Sequence, residues 1–141
     1  MRIMLRVAYD GTSYSGWQVQ PNGITIEEVL NKKLTELLGE EIVVTGASRT
    51  DSGVHSLGNV AIFDTNTRMP ADKISFALNQ RLPEDIVVRE AYDVAETLRD
   101  MQESMEFSPQ ELDNLESRLD QLFRLKKKYG ATVEDMLDYL E

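Results

Sequence analysis

Residues 2–9, RIMLRVAY, place apolar side chains at alternate positions, so that one side of the segment is continuously apolar. A period of two is typical of a β-strand that buries one face. Three later segments, EIVVTG, SLGNVAIFD and DIVVREAY, are also short and apolar. The sequence therefore predicts four strands that share a core.

Two helices are predicted between these strands. The segment TIEEVLNKKLTELLG begins with Thr25 as N-cap and Glu28 three residues later, which is a capping box, and Gly39 fits its end. The segment MPADKISFALNQRLP has Pro70 near its start. Across residues 1–93 the order is β-α-β-β-α-β. We therefore expect an α+β, ferredoxin-like domain with its helices on one face of an antiparallel sheet.

After Asp93 the sequence pattern changes from alternating strands and helices to helices alone. Ser108, Pro109 and Glu111 are the residue types that begin a helix, as N-cap, first-turn proline and capping-box acid. Leucines then recur at coiled-coil spacing, at Leu112, Leu115, Leu119 and Leu122. We expect residues 94–141 to form a second domain, an all-α helical hairpin.

Composition narrows the possible functions. The 141 residues include 15 Lys and Arg against 25 Asp and Glu, a net charge of −10, which does not favour tight binding of nucleic acid by this chain alone. With no cysteine and one histidine, we expect no disulfide and no metal site. No apolar run approaches the roughly 18 residues of a membrane span. The expectation is a soluble, cytoplasmic protein without membrane contact.

The stretch ASRTDSGVHS, residues 47–56, is the candidate functional loop. A guanidinium such as Arg49 keeps a nearby carboxylate ionised, and Asp51 follows two positions later. An ionised carboxylate in a pocket acts as a nucleophile, a base or an electrostatic stabiliser. Gly53 lets the backbone turn sharply. The alternative, which the spacing alone favours, is a structural salt bridge without chemistry.

Three segments resemble one enzyme family. ASRTDSGVHSLGNV is similar to the catalytic signature of TruA-type tRNA pseudouridine synthases, G-R-T-D-x-G-V-H. YDGTSYSGWQVQ is similar to their opening motif, Y-D-G-T-x-Y-x-G-W-Q-x-Q, and LNQRLPEDIVV matches as well. The resemblance covers about residues 1–93, with Ser48 where many members have glycine.

The resemblance implies that Asp51 is the catalytic aspartate of uridine-to-pseudouridine isomerisation in the anticodon stem-loop of tRNA. The C1′–N1 glycosidic bond breaks and the uracil is rejoined through C5, with no metal or organic cofactor. The uridine leaves the helical stack first. Arg49 would hold Asp51 and line the space that the flipped base vacates.

Other motif residues are candidates for substrate binding or support, among them Thr50, Gly53 and Gln18. His55 is either a general base or, as we expect, a hydrogen-bonding residue that stabilises the turn. Trp17 either stacks on a base or anchors its loop against the core.

Basic side chains elsewhere are candidates for contacts with phosphate. Arg2 and Arg6 lie on the face of the first strand opposite its apolar side chains. The run RLKKK, residues 124–128, either contacts nucleic acid or, as we expect, is a solvated helix end, where positive charge suits the helix dipole.

The family resemblance ends near residue 93. Family members continue with a segment similar to F-H-A-R-F and a second half that contributes an active-site tyrosine, whereas here AYDVA is followed by ETLRDMQESMEF. Through LESRLDQLFRLKKKYG, about residues 96–141 resemble a coiled-coil segment of the RecN DNA-repair ATPases. The sequence has no G-x-x-x-x-G-K-[ST] nucleotide loop. We interpret the chain as a chimera joined near residues 94–96.

Three hypotheses are compatible with these patterns. The chain is an enzyme module with an active Asp51, a catalytically silent fusion whose tail supplies self-association, or a coiled-coil interaction protein. Since half of the family's pocket is absent from the sequence, we expect the chain alone to be inactive and to bind tRNA weakly. An open sheet face and the leucine seam predict a homo-oligomer.

Overall fold

A computed structural model describes residues 1–105 and 108–139. The chain divides into two compact units, Met1–Met101 and Gln102–Glu141. Within the described ranges, no helix has the length and apolar character needed to cross a membrane. In the same ranges, no three His, Cys, Asp or Glu side chains are grouped so that they would hold a metal ion.

The first unit is built on a four-stranded antiparallel sheet. Its strands are β1 (Arg2–Tyr9), β2 (Thr45–Gly46), β3 (Ser56–Asp64) and β4 (Ile86–Asp93). The strand order is β2-β3-β1-β4, and β1 is antiparallel to both of its neighbours. This order, with a helix after β1 and another after β3, confirms the predicted α+β, ferredoxin-like fold.

Two helices, α1 (Ile26–Leu38) and α2 (Ala71–Asn79), pack on one face of the sheet. Alternate residues of β1 are buried under them, as the period of two predicts. The fully buried aliphatic side chains of this core include Ile3, Leu5, Val7, Leu30, Leu34, Ile74 and Leu78. The other face of the sheet is uncovered within this unit.

The ends of α1 are close to the prediction. The Thr25 side chain accepts a hydrogen bond from the Glu28 N–H at 3.3 Å, and Gly39 ends the helix in the left-handed conformation, with φ of 69°. The side chain that reaches back toward the residues before the helix is Glu27 rather than Glu28. The Glu27 carboxylate accepts a hydrogen bond from the Val19 N–H at 2.8 Å. The predicted capping box is therefore replaced by a longer return contact that also ties down the preceding loop.

The predicted second strand, EIVVTG, is a strand only at its last two residues. The Ile42 N–H donates to Thr35 Oγ1 at 3.0 Å, and the Val44 N–H donates to Asn31 Oδ1 at 2.8 Å. Side chains of α1 thus satisfy backbone donors that a neighbouring strand would otherwise pair. Ile42 and Val44 are still buried in the core, which explains why the segment has an apolar, strand-like pattern.

All elements after β4 in the described ranges are helical, which confirms the predicted all-α tail. They are α3 (Val94–Ser104), α4 (Pro109–Tyr129) and α5 (Val133–Asp138). The Ser108 hydroxyl accepts from the Glu111 N–H at 3.4 Å and caps α4 as predicted. Thr132 and Asp135 form a reciprocal capping box at the start of α5.

The leucine seam of α4 is exposed in the single chain. The exposed fraction of its four leucines ranges from 37 % at Leu112 to 66 % at Leu119. α5 packs against α4 at the far end, where the rings of Tyr129 and Tyr139 meet edge to face with centroids 5.2 Å apart. This contact of α5 with α4 therefore lies beyond the leucines of the seam.

We expect Asn31→Ala to lower the free energy of unfolding of the first unit by about 1–3 kcal/mol, because the buried Val44 N–H loses its acceptor. Asn31→Asp keeps an acceptor oxygen in place and is the matched control, with a smaller loss. Trp17 is the one tryptophan and is buried in this unit, so its fluorescence during urea unfolding follows this unit alone. Equal losses in both variants would contradict the proposed role of the Asn31 oxygen.

Candidate active site

Two loops meet at the end of the sheet where β1 ends and β3 begins. The first loop is residues 10–18 and the second loop is residues 47–55. The Trp17 N–H donates to the Thr50 carbonyl oxygen at 3.0 Å, and the Gly53 N–H donates to the Tyr14 carbonyl oxygen at 3.2 Å. Backbone hydrogen bonds that run in both directions therefore hold the second loop against the first.

Glycines allow the two loops to touch. A Cβ atom on Gly11 would lie 2.0 Å from the Val54 carbonyl oxygen, and one on Gly16 would lie 2.6 Å from that of Thr50. Gly16 also has a φ of +83°, where a side chain is strained. The glycines of YDGTSYSGWQVQ are thus needed for the position of ASRTDSGVHS, although residues 21–46 lie between the two motifs.

Trp17 anchors the first loop to the core. Its side chain is 1 % exposed, and its ring centroid lies 5.8 Å from that of Tyr9. Its Nε1–H has no hydrogen-bond partner among the described residues. Of the two interpretations of Trp17, anchoring agrees with this burial, because a ring so enclosed has no face free to stack on a base.

Asp51 lies in the second loop at an open cavity of about 360 Å³. The lining residues are Ser15, Gln18, Val19, Gln20, Arg49, Thr50, Asp51 and Ser52. Asp51 is exposed, and a turn at Gly53, with φ of 77°, brings the Val54 N–H to its carbonyl oxygen at 3.1 Å. The structure thus places four predicted site residues, Gln18, Arg49, Thr50 and Asp51, around one cavity.

The predicted ion pair between Arg49 and Asp51 is not met. In the described part of the chain, no Arg49 nitrogen lies within 4.0 Å of an Asp51 oxygen. Thr50, between these two residues in the chain, is half-buried, and its Oγ1 lies 2.7 Å from the Tyr9 hydroxyl. Arg49 and Asp51 are exposed, and exposed ionic side chains are held together weakly. Asp51 is positioned by its backbone instead.

His55 joins the second loop to the start of the first. Its Nδ1 accepts from the Gly11 N–H at 3.0 Å and lies 3.1 Å from Asp10 Oδ1. Hydrogen bonds from the Thr12 hydroxyl and N–H lower the pKa of the Asp10 carboxyl, with a smaller effect from His55. His55 is thus placed to stabilise the turn and does not line the Asp51 cavity.

The contact between Tyr14 and Asp85 is not predictable from the sequence. The Tyr14 hydroxyl donates to Asp85 Oδ1 at 2.6 Å, and the Asp10 N–H donates to the Asp85 carbonyl oxygen at 2.9 Å. Burial, followed by the bond to Asp85, raises the pKa of the Tyr14 phenol. Asp85 lies 71 residues after Tyr14, so no local pattern joins them. The one available signal was the tyrosine inside the opening motif.

Arg2 and Arg6 lie on the uncovered face of the sheet and not at the Asp51 cavity. Arg2 makes two hydrogen bonds of 2.9 Å to the carboxylate of Asp64, and Arg6 Nη1 lies 3.2 Å from Glu90 Oε2. Both arginines are thus neutralised by neighbouring strands. The structure does not bring these predicted phosphate contacts to the candidate site.

We expect Gly16→Ala to destabilise the first unit more than Gly39→Ala. Both residues have positive φ, so both variants lose about 1 kcal/mol from backbone strain. At Gly39 nothing lies within 4 Å of the new Cβ, whereas at Gly16 it meets the Thr50 carbonyl and adds about 1–3 kcal/mol. Urea unfolding followed by Trp17 fluorescence measures both. Equal effects would show that the loops do not need this close approach.

Comparison with known proteins identifies one family. A family model described as tRNA pseudouridine synthase matches residues 6–102. The tRNA pseudouridine synthase A of Thermoanaerobacter sp. (strain X514) is 54 % identical over 95 residues, which are 67 % of this chain and 39 % of that protein. The protein of the same name from Ruminiclostridium cellulolyticum is 52 % identical over 95 residues, which are 67 % of this chain and 39 % of that protein. That of Geotalea uraniireducens is 50 % identical over 90 residues, which are 64 % of this chain and 37 % of that protein. The chain spans about two fifths of the length of these relatives.

Proposed function

The chain belongs to the tRNA pseudouridine synthase family, and on this premise we propose that residues 1–93 form a domain that isomerises uridine to pseudouridine in the anticodon stem-loop of tRNA. Asp51 is the proposed catalytic aspartate. The observation that carries this proposal is the exposed carboxylate of Asp51 beside a cavity, on the second loop, whose backbone is hydrogen-bonded to the first loop. A fixed carboxylate open to solvent suits a reaction on a nucleotide extruded from RNA.

The proposed reaction exchanges one bond to the sugar for another. The C1′–N1 bond breaks, the uracil turns, and a C1′–C5 bond forms, while C5 loses a proton and N1 gains one. No electrons are gained or lost overall, so the chemistry requires no redox cofactor. The Asp51 carboxylate either adds to the sugar at C1′ or assists its deprotonation, and both routes need the ionised form beside the ribose.

Residues around Asp51 have proposed supporting roles. Arg49 and Gln18 line the same cavity, where Arg49 occupies the space left by the extruded base and Gln18 meets the polar edge of the nucleotide. Other residues act on Asp51 through the backbone of the two loops. These positioning residues are Thr50, Gly53, His55 and Trp17.

We expect binding of tRNA to depend on the charge of Arg49 and not on that of Asp51. Arg49 is exposed, and no carboxylate of the described residues lies within 4.0 Å of it, so its charge is available to phosphate. Arg49→Gln should weaken binding of an anticodon stem-loop RNA and lower the salt slope by about 1. Asp51→Asn removes negative charge beside the RNA and should leave binding equal or tighter. Fluorescence anisotropy across a salt series measures both variants, and weaker binding by Asp51→Asn would contradict the proposed placement.

We propose that the 141-residue chain does not catalyse the isomerisation of uridine by itself. Its described residues surround Asp51 with two loops only, and the net charge of −10 opposes RNA. With tRNA containing 5-tritiated uridine and the chain in excess, tritium release should not exceed that of Asp51→Asn. Release that is lost in Asp51→Asn would overturn the proposed inactivity while supporting the catalytic role of Asp51. Release that persists in Asp51→Asn would overturn that role.

A second candidate function is a catalytically silent fusion or a coiled-coil interaction module, with about residues 96–141 related to the RecN DNA-repair ATPases. The exposed leucine seam of α4 favours it, because an apolar stripe of this kind is usually covered by a partner. On this proposal the chain is a chimera whose second domain, residues 94–141, makes it a homo-oligomer. The binding experiment separates it from the synthase domain, since Arg49→Gln would then leave binding of the anticodon stem-loop RNA unchanged.

A further inference from the structure

The exposed seam of α4 is symmetric about its own midpoint. Its leucines are spaced by three, four and three residues, so the spacing is the same from either end, with Ser117 in the middle. Their side chains, all at least 37 % exposed, are Leu112, Leu115, Leu119 and Leu122. Two copies of this seam would interlock equally well with their helices parallel or antiparallel. The leucines alone therefore do not set the orientation.

The charges of α4 are not symmetric. From residue 109 to 117 the helix has three acidic side chains and no basic one, and from 118 to 129 it has five basic side chains and one acidic one. The sign of the charge thus changes at the midpoint of the leucine seam. With 21 residues the helix is about 32 Å long, about three Debye lengths at 0.1 M salt, so each half acts on what lies directly beside it.

We propose that the seam is covered by α4 of a second copy of this chain, in the antiparallel orientation. Leu112 then packs against Leu122 of the second copy, and Leu115 packs against Leu119. Residues 109–117 of each helix, with three acidic side chains, lie opposite residues 117–125 of the other, which have two basic side chains and one acidic one. The lysines at 126–128 follow directly and lie about 4–8 Å along the axis from Glu111 of the other helix. The same helix supplies both complementary surfaces, which is why a second copy fits better than an unrelated partner.

A parallel pair is disfavoured because it aligns like charges along the whole helix. Lys126 continues the core spacing of the seam and would face its own copy, and Glu111 would lie beside Glu116 of the other helix. In the antiparallel pair, like charges meet near the midpoint only, where Glu116 and Arg118 approach their own copies. The more numerous charges at the two ends then decide the orientation.

Disulfide cross-linking tests the orientation directly. The chain contains no cysteine, so each introduced cysteine reports its own contacts without background. Leu112→Cys and Leu122→Cys are oxidised separately and then as an equal mixture of two chains that differ in mass. In the antiparallel pair, position 112 lies about 15 Å from its own copy, which is beyond disulfide reach. We therefore expect linked dimers in the mixture alone, each containing one chain of each kind.

Every other pattern overturns the proposal. Links between identical chains would show a parallel pair. No links, whether the wild-type chain sediments as a monomer or as a dimer, would show that a second copy does not cover this seam. Because the leucines are exposed, these substitutions should leave the helical circular dichroism unchanged, which is checked first.

A charge variant tests the reason for the orientation. Lys127→Glu with Lys128→Glu makes both ends of α4 acidic and should lower the dimer fraction in sedimentation. Lys32→Glu with Lys33→Glu, on α1, is the matched control, because it changes the net charge equally at a distance along the chain from the seam. Equal loss of dimer in both double variants would show that total charge matters rather than charge along α4, and would overturn the electrostatic argument.

Discussion

The backbone contact between the first and second loops is the constraint on which the candidate site depends. Gly11 and Gly16 permit an approach that any side chain would prevent, and hydrogen bonds from Trp17 and Gly53 close it. The contact gives Asp51 a defined place without a charged neighbour. A carboxylate fixed in this way keeps both of its oxygens free for a substrate, which an ion pair with Arg49 would not allow.

Local signals predicted most of the fold. β1 and α1 were predictable because alternation, an N-cap and a terminal glycine act within a few residues. The segment before β2 was not, because its backbone donors are taken by two polar side chains of α1 rather than by a strand. The spacing of apolar residues predicts which side chains are buried, but it does not predict which groups accept hydrogen bonds from the backbone N–H groups.

The candidate site was predictable in its residues and not in its contacts. Motif spacing placed Arg49 and Asp51 together, and both line one cavity, yet among the described residues they form no ion pair, and Thr50 between them contacts Tyr9. The bond between Tyr14 and Asp85 depends on the pairing of β1 with β4, so it is a property of the sheet and has no sequence-local signal. Orientation within a loop is thus decided by residues that reach it from elsewhere in the chain.

Two exposed ion pairs on the uncovered sheet face agree with the alignment of β1 that its buried side chains enforce. Arg2 is directly opposite Asp64 on β3, and Arg6 is directly opposite Glu90 on β4, so β1 makes one ion pair with each of its neighbouring strands. A slip by one residue would break both pairs and send buried side chains to the wrong face. It would also displace Gly11 by about 3.4 Å along the strand direction, which is enough to separate it from Val54. The buried face of β1 therefore fixes the strand alignment, and with it the place where the two loops meet.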